Sequence, residues 1–317
     1  MTIEELKTKR IAVLMGGPSA ERAVSLRTGQ AALDVLLKQG YQAQAIDAGF
    51  DLDQQLRAQG IEVAFIALHG RFGEDGTVQG LLEMMRIPYT GSGILASSLA
   101  IDKVATKKML IFHGVPTPHF RVVQEHDAWR DNPGDGDRFP LVVKPALEGS
   151  TLGISLVRNR DELIAGLEEA FNFAAVALIE EYIDGMEITV SVVNGEVLPI
   201  IQIAPQGGFY DYHAKYTAGQ TEYILPAPLS EELTARIKEH TATVYTALGC
   251  AGAARVDYMV RGEEYFCLEV NTIPGMTATS LLPKAAAHAG MSFNALVEQI
   301  LCGAALKIEQ RNRDQRG

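Results

Sequence analysis

Residues Arg10–Gly17 read RIAVLMGG, an apolar run of strand length that stops on two glycines, and a helical pattern follows from about Glu21 to Gln39. Gln42–Asp47, a short helix near Asp53–Gln59 and the strongly apolar Ile61–His69 (IEVAFIALH) continue the alternation. Continuous apolar runs separated by helices predict parallel strands covered on both faces. Ligands of such sheets sit beyond the carboxyl ends of the strands. Gly16-Gly17-Pro18-Ser19-Ala20-Glu21 and His69-Gly70 fall at those ends.

Beyond a helical stretch at Ile94–His113 the chain changes character. Gln124–Arg138 (QEHDAWRDNPGDGDR) is charged and rich in Gly, Pro and Asp, which predicts a surface loop of low structural content. A strand at Phe139–Pro145, a turn at Glu148–Gly153, a strand at Ile154–Val157, a helix near Arg160–Phe173 and strands at Val176–Glu181 and Glu187–Val193 then predict a small α+β unit. The remainder reads as a long polar, aromatic loop (Gln206–Glu222), a helix (Ser230–Leu248), strands at Ala253–Arg261 and Tyr265–Asn271, and two closing helices after Leu281. Three subdomains are expected, divided near residues 103 and 186.

Composition narrows the function classes. A chain of 317 residues with 47% hydrophobic and 21% charged residues buries an ample core without disulfides or a structural metal. The net charge of −11, with no basic stripe, argues against nucleic acid as a partner. Cys250, Cys267 and Cys302 lie in apolar runs and are odd in number, so they read as reduced core residues. No apolar stretch approaches the roughly 18 residues of a membrane span, and the N-terminus lacks a signal-peptide core. A soluble, cytoplasmic protein is the expectation.

The densest chemistry is Arg255-Val-Asp257 followed by Glu269-Val-Asn271. Residues two apart on a strand share a face. A three-residue hairpin loop at Gly262-Glu263-Glu264 would set Asp257 opposite Glu269 and Arg255 opposite Asn271. Such a face carries hard oxygen donors suited to Mg²⁺ and phosphate; a solvated hairpin with a surface ion pair is the plainer reading. Lys144 ends an apolar strand before a glycine turn, which suits an anion, although a lysine snorkelling from a strand end fits as well. Neither a Walker motif nor a dinucleotide fingerprint occurs. Ile179–Ile183 with Glu187 can read adenine and ribose or form an ordinary polar edge. Tyr210–Tyr216 lies in a loop long enough to close over a ligand.

Together these residues resemble the D-alanine–D-alanine ligases of the ATP-grasp superfamily, over essentially the whole chain. The resemblance runs through Gly16–Ser25, His69–Gly76 (HGRFGEDG), Tyr89–Gly93, Lys144-Pro145, Glu148–Ser150, Tyr210–Tyr212, Ala214–Tyr216, Arg255–Asp257 and Glu269–Thr277. It implies an α/β (α+β) architecture, an ATP-grasp fold preceded by a Rossmann-like parallel-sheet domain. Its divisions would be residues 1–103, 104–186 and 187–317. It also implies a two-step ligation for peptidoglycan precursor synthesis. One D-alanine carboxylate is phosphorylated by ATP, and the amine of a second displaces phosphate from the D-alanyl phosphate.

Carried over residue by residue, the resemblance assigns two Mg²⁺ ions (or Mn²⁺ in their place) to Asp257, Glu269 and Asn271. Phosphate oxygens go to Lys103, Lys144 and Lys215. Adenine and ribose go to Glu180, Glu187 and the backbone near Glu181 and Ile183. Glu21 meets the first D-alanine's ammonium, with His69 nearby. Arg255 and the Gly275 N–H stabilise the oxyanion, Ser280 and Leu281 meet the second D-alanine, and Glu21, Ser150 and Tyr216 form an orienting triad. A homodimer is implied as well. Thr151 after Ser150, and Cys267 in its strand, depart from the commonest pattern but keep a hydroxyl and a small apolar group. A D-alanine–D-lactate ligase is the nearest alternative, disfavoured by Lys215-Tyr216. Another ATP-grasp carboxylate–amine ligase and a non-catalytic nucleotide binder are the others.

Overall fold

The computed structural model describes residues 1–127, 129–130, 138–147, 149, 152–205, 221–277 and 280–308. After a short capped helix, α1 (Ile3–Lys7), strands β1 (Arg10–Met15), β2 (Gln42–Asp47) and β3 (Val63–Ile66) form a parallel sheet in the order β2-β1-β3. Alternate β1 residues feed two different cores, as the strand period requires. Ile11, Val13 and Met15 pack with α2 (Arg22–Lys38), whereas Ala12 and Leu14 pack with α3 (Leu52–Ala58) and α4 (Thr77–Met85). Helix α2 lies close on the sheet because position 29 is glycine; a Cβ there would stand 2.5 Å from the Met15 Cβ.

Ile94–His113 is two helices rather than one, α5 (Ile94–Ile101) and α6 (Lys103–Phe112). Asp102 leaves helical geometry at ψ 100°, and its carboxylate accepts the N–H groups of Val104 and Ala105. A new N-cap therefore starts α6 on Lys103. Next comes an antiparallel four-stranded sheet of β4 (Phe120–Gln124), β5 (Leu141–Pro145), β6 (Ser155–Val157) and β7 (Val176–Glu181), in the order β4-β7-β5-β6. Helix α7 (Arg160–Phe171) covers it. The expectation of a bare surface loop at Gln124–Arg138 needs correcting at one point. Trp129 is buried in this core, 5.5 Å from the Phe171 ring. Residues 128 and 131–137 of that segment lie outside the described residues.

The third sheet has six strands: β8 (Met186–Val193), β9 (Glu196–Val197), β10 (Ile201–Pro205), β11 (Thr221–Ile224), β12 (Ala253–Arg261) and β13 (Glu264–Asn271). Its order is β11-β10-β8-β12-β13, with β9 paired to β8. Strands β4, β9, β10 and β11 were not anticipated, and Thr221-Glu222, expected in the long loop, open β11. The rest of that loop, residues 206–220, is outside the described residues. Helices α6 and α8 (Glu231–Ala247) pack Leu110, Ile237 and Val244 against Ile188, Val190, Val256 and Tyr258 of this sheet. Helices α9 (Leu281–His288) and α10 (Phe293–Cys302) share a core with Ile11, Val13 and Leu36 and so join the two ends of the chain. The three cysteines are free thiols, and burial pushes Cys267 far above the ordinary range. Among the described residues no helix is long and apolar enough to cross a membrane.

Candidate active site

The β12–β13 hairpin sets Asp257 opposite Glu269 and Arg255 opposite Asn271. The register near the site matches the sequence reading, but it arises differently. Arg261 pairs with Glu264 across a two-residue turn, and a β-bulge between Asp257 and Tyr258 restores the offset. Arg255 donates to both Asp257 oxygens, from Nε at 2.9 Å and Nη2 at 2.7 Å. Thr189 of the neighbouring strand donates to Asp257 Oδ1 at 2.5 Å. Lys103, brought here by the new start of α6, lies 3.4 Å from Glu269 Oε2.

This donor set fits a hard divalent cation. Two carboxylates and an amide oxygen would leave coordination positions for phosphate and water, which is the habit of Mg²⁺.

A cleft of about 340 Å³ opens from this face between the two antiparallel sheets, lined by Lys144, Glu180–Glu187, Arg255, Asp257, Glu269 and Leu281. Val142 on β5 is opposite Glu180 on β7, so Lys144, two residues on, is its diagonal neighbour on the same face. Lys144 Nζ lies 2.7 Å from Glu180 Oε2, and Lys107 Nζ lies 2.9 Å from Oε1. Burial opposes the Glu180 charge, yet the two ammoniums outweigh it and hold the carboxyl below its usual range. Glu181 turns outward to Arg261 at 3.3 Å, Ile183 is buried, and Glu187 stands opposite Ile203 and Met259.

Glu21 precedes α2 and lies between two glycines that line a smaller adjoining pocket with Lys103, Glu269 and Asn271. A Cβ on Gly70 or on Gly149 would come within 2.8 or 2.9 Å of Glu21 Oε2. Gly70 also has φ +69°, so no other residue sits easily there. His69 is buried, with Nε2 3.0 Å from Thr28 Oγ1, and Thr28 accepts the Met276 N–H at 3.5 Å. Glu74, quoted within HGRFGEDG but given no role by the sequence, accepts Gly70 N–H at 2.8 Å and Ile273 N–H at 3.1 Å. It ties the His69-Gly70 loop to the turn that carries Gly275. A Cβ on Gly275 would be 3.0 Å from Ser280 Oγ, and Ser280 stands at the start of α9 before the buried Leu281, its hydroxyl accepting the Thr277 N–H at 3.1 Å. Ser150, Lys215 and Tyr216 lie outside the described residues.

Two antiparallel sheets closing on a cleft with lysines on one wall and a carboxylate–amide hairpin on the other define an ATP-grasp fold. The family model for the D-ala D-ala ligase C-terminus matches residues 109–302, and that for the N-terminus matches residues 47–92. A D-alanine–D-alanine ligase of Syntrophotalea carbinolica is 62% identical over 97% of this chain and 100% of its own length. That of Geobacter sulfurreducens is 49% identical over 98% of both chains. Among solved structures, the D-alanine–D-alanine ligase of Bacillus anthracis superposes with a TM-score of 0.83 at 41% identity, covering 93% of this chain and 97% of that one. The same enzyme complexed with ATP gives a TM-score of 0.80 at 38% identity. The chain belongs to the D-alanine–D-alanine ligase family.

Proposed function

We propose that the protein joins two D-alanines at the expense of ATP, through a D-alanyl phosphate, to supply a peptidoglycan precursor. The observation that carries this reading is that the Arg255–Asp257 face and the Lys144 wall line one cleft, while Gly70 and Gly149, the glycines that flank Glu21, line a second pocket with Lys103 and Asn271; Glu269 lines both. A carboxylate is a poor acylating agent, and phosphorylation turns one oxygen into a leaving group. Lys103, Lys144 and Lys215 neutralise phosphate oxygens, while Glu180, Glu187 and the backbone at Glu181 and Ile183 hold adenine and ribose. Mg²⁺ held by Asp257, Glu269 and Asn271 would supply charge neutralisation on the phosphates.

Glu21 and His69 orient the first D-alanine by its ammonium. The second D-alanine's carboxylate meets Ser280 and Leu281 at the start of α9, where helix N–H groups favour an anion. Its amine attacks the acyl carbon, and the developing oxyanion falls to Arg255 and the Gly275 N–H. Ser150 and Tyr216 complete the orienting triad with Glu21. A homodimeric assembly, a cytoplasmic setting and the metal belong to the same proposal and rest on family membership. Incubation with ATP, Mg²⁺, D-alanine and equimolar D-lactate, read by mass spectrometry, should give D-alanyl-D-alanine with matching ADP. A dominant D-alanyl-D-lactate product would transfer the chain to the depsipeptide ligases.

Glu74 predicts a pH dependence for this first site. Burial, and then the charge of Glu21, push its carboxyl up to about 8. An ammonium arriving beside Glu21 favours the ionised form, so below that pH its binding must expel a proton. The KM of the first D-alanine should therefore rise as pH falls from about 8 to 6, by up to about tenfold per unit. Glu74→Gln should flatten the profile. A flat wild-type profile over that window would detach Glu74 from the ammonium site.

A further inference from the structure

Lys107 is a buried cation with no place in the mechanism above. It lies one helical turn after Lys103 on α6, its side chain is 0% exposed, and it does not line the cleft. Its ammonium donates to Thr117 Oγ1 at 2.5 Å, and Thr117 donates to the Cys267 carbonyl of β13 at 2.8 Å. The Phe120 ring closes over it at 5.3 Å. Its charge meets one Glu180 oxygen, while Lys144, which lines the cleft, meets the other.

Stability alone explains this poorly. Glu180 already has an ammonium partner in Lys144, and a second buried lysine adds desolvation that an apolar side chain of the same length would avoid. The arrangement gains a purpose once Lys144 has to change partners. A phosphate oxygen entering the cleft competes with Glu180 for the Lys144 ammonium. With no second cation, that exchange would strand a buried carboxylate, which is strongly disfavoured.

We propose that Lys107 is a positioning residue, the standing counter-charge of Glu180 that releases the Lys144 ammonium to the nucleotide's phosphate. The inference rests on the reading of Lys144 as a phosphate ligand. It adds that the lysine's availability is set by a buried residue outside the cleft lining.

The test is steady-state kinetics of the full-length enzyme with ATP and D-alanine varied in turn. Lys107→Met should raise the ATP KM by about tenfold or more, with kcat within about threefold and the D-alanine KM values unchanged. Lys107→Arg, which keeps the charge, should stay near wild type. Adding Glu180→Gln to Lys107→Met should return the ATP KM to about that of Glu180→Gln alone, because no carboxylate remains to hold Lys144. A merely structural lysine would instead give additive defects spread over kcat and every KM. An unchanged ATP KM in Lys107→Met, or additive defects in the double variant, overturns the proposal. Should Lys107→Met fail to fold, Lys107→Gln, which keeps a donor for Thr117, carries the same expectations. Lys144→Ala separates the two levels: a raised ATP KM there with none in Lys107→Met removes only the role of Lys107. No change in Lys144→Ala removes the phosphate reading beneath it.

Discussion

Asp257→Ala should lower kcat roughly a thousandfold or more, the several kcal/mol that a bound metal's charge stabilisation supplies to a phosphoryl-transfer step. Asp257 is buried on β12 and stands opposite Glu269, so the two carboxylates form one oxygen-rich face. Alanine removes a donor that nothing nearby replaces, since Thr189 and Arg255 both address Asp257 only as donors. Glu269→Ala should act in the same direction, and raising Mg²⁺ should recover neither variant. Turnover is read as ADP released in the presence of D-alanine, beside a thermal melt that separates lost chemistry from lost fold. The melt matters because Asp257→Ala also removes the carboxylate that Arg255 grips through Nε and Nη2, and Asp257→Asn is the gentler control. Near-normal turnover in either alanine variant would remove the metal assignment.

That hairpin also shows where a sequence can be read and where it cannot. Side chains two apart must share a face, so Arg255 with Asp257, and Glu269 with Asn271, were legible from spacing alone. The turn was not. Gly262 at φ +61° serves a two-residue turn as readily as a longer one, and the bulge at Asp257/Tyr258 corrects the offset out of sight. The split at Asp102 was hidden because its flanks both look helical, and only the capping bonds to Val104 and Ala105 reveal a second start. Trp129 sits among polar residues that say loop, yet a single large ring is enough to bring that stretch into a core.

Lys107 is the sharpest instance. Nothing in its helix singles it out from its neighbour Lys108, and only its pairing with Glu180 on a strand far along the chain gives it meaning. Glu74 is the intermediate case. The family motif marks its position, but its role comes from the Ile273 N–H on a distant turn. Residues that act on a ligand tend to stand in recognisable company. Those that hold the acting residues in place are chosen by tertiary neighbours, and spacing carries no trace of them.

Arg255→Met should lower kcat by about 10²–10³, the usual loss when one donor to a developing oxyanion is removed. Asp257 takes hydrogen bonds from Nε and Nη2, which fixes the plane of the guanidinium before any substrate arrives. A donor held in that way is worth more in the transition state than a mobile one, because it does not reorganise as charge develops. The loss should therefore fall on kcat, with the ATP KM changed much less. Arg255→Lys should recover little, since an ammonium cannot grip Asp257 through two nitrogens and present a third toward the acyl carbon.

Stability should fall as well. Asp257 is 6% exposed, and breaking a buried pair by deleting one partner costs roughly 3–5 kcal/mol, visible as a lowered Tm. Arg255→Met combined with Asp257→Asn should regain part of that Tm, because the stranded carboxylate is gone, and regain none of the kcat. That divergence separates catalysis from folding at one pair of residues. An Arg255→Lys enzyme working within about tenfold of wild type, against the 10²–10³ expected for a lost oxyanion donor, would shift the oxyanion onto the Gly275 N–H alone. Arg255 would then serve to hold Asp257 rather than to touch the reacting atoms.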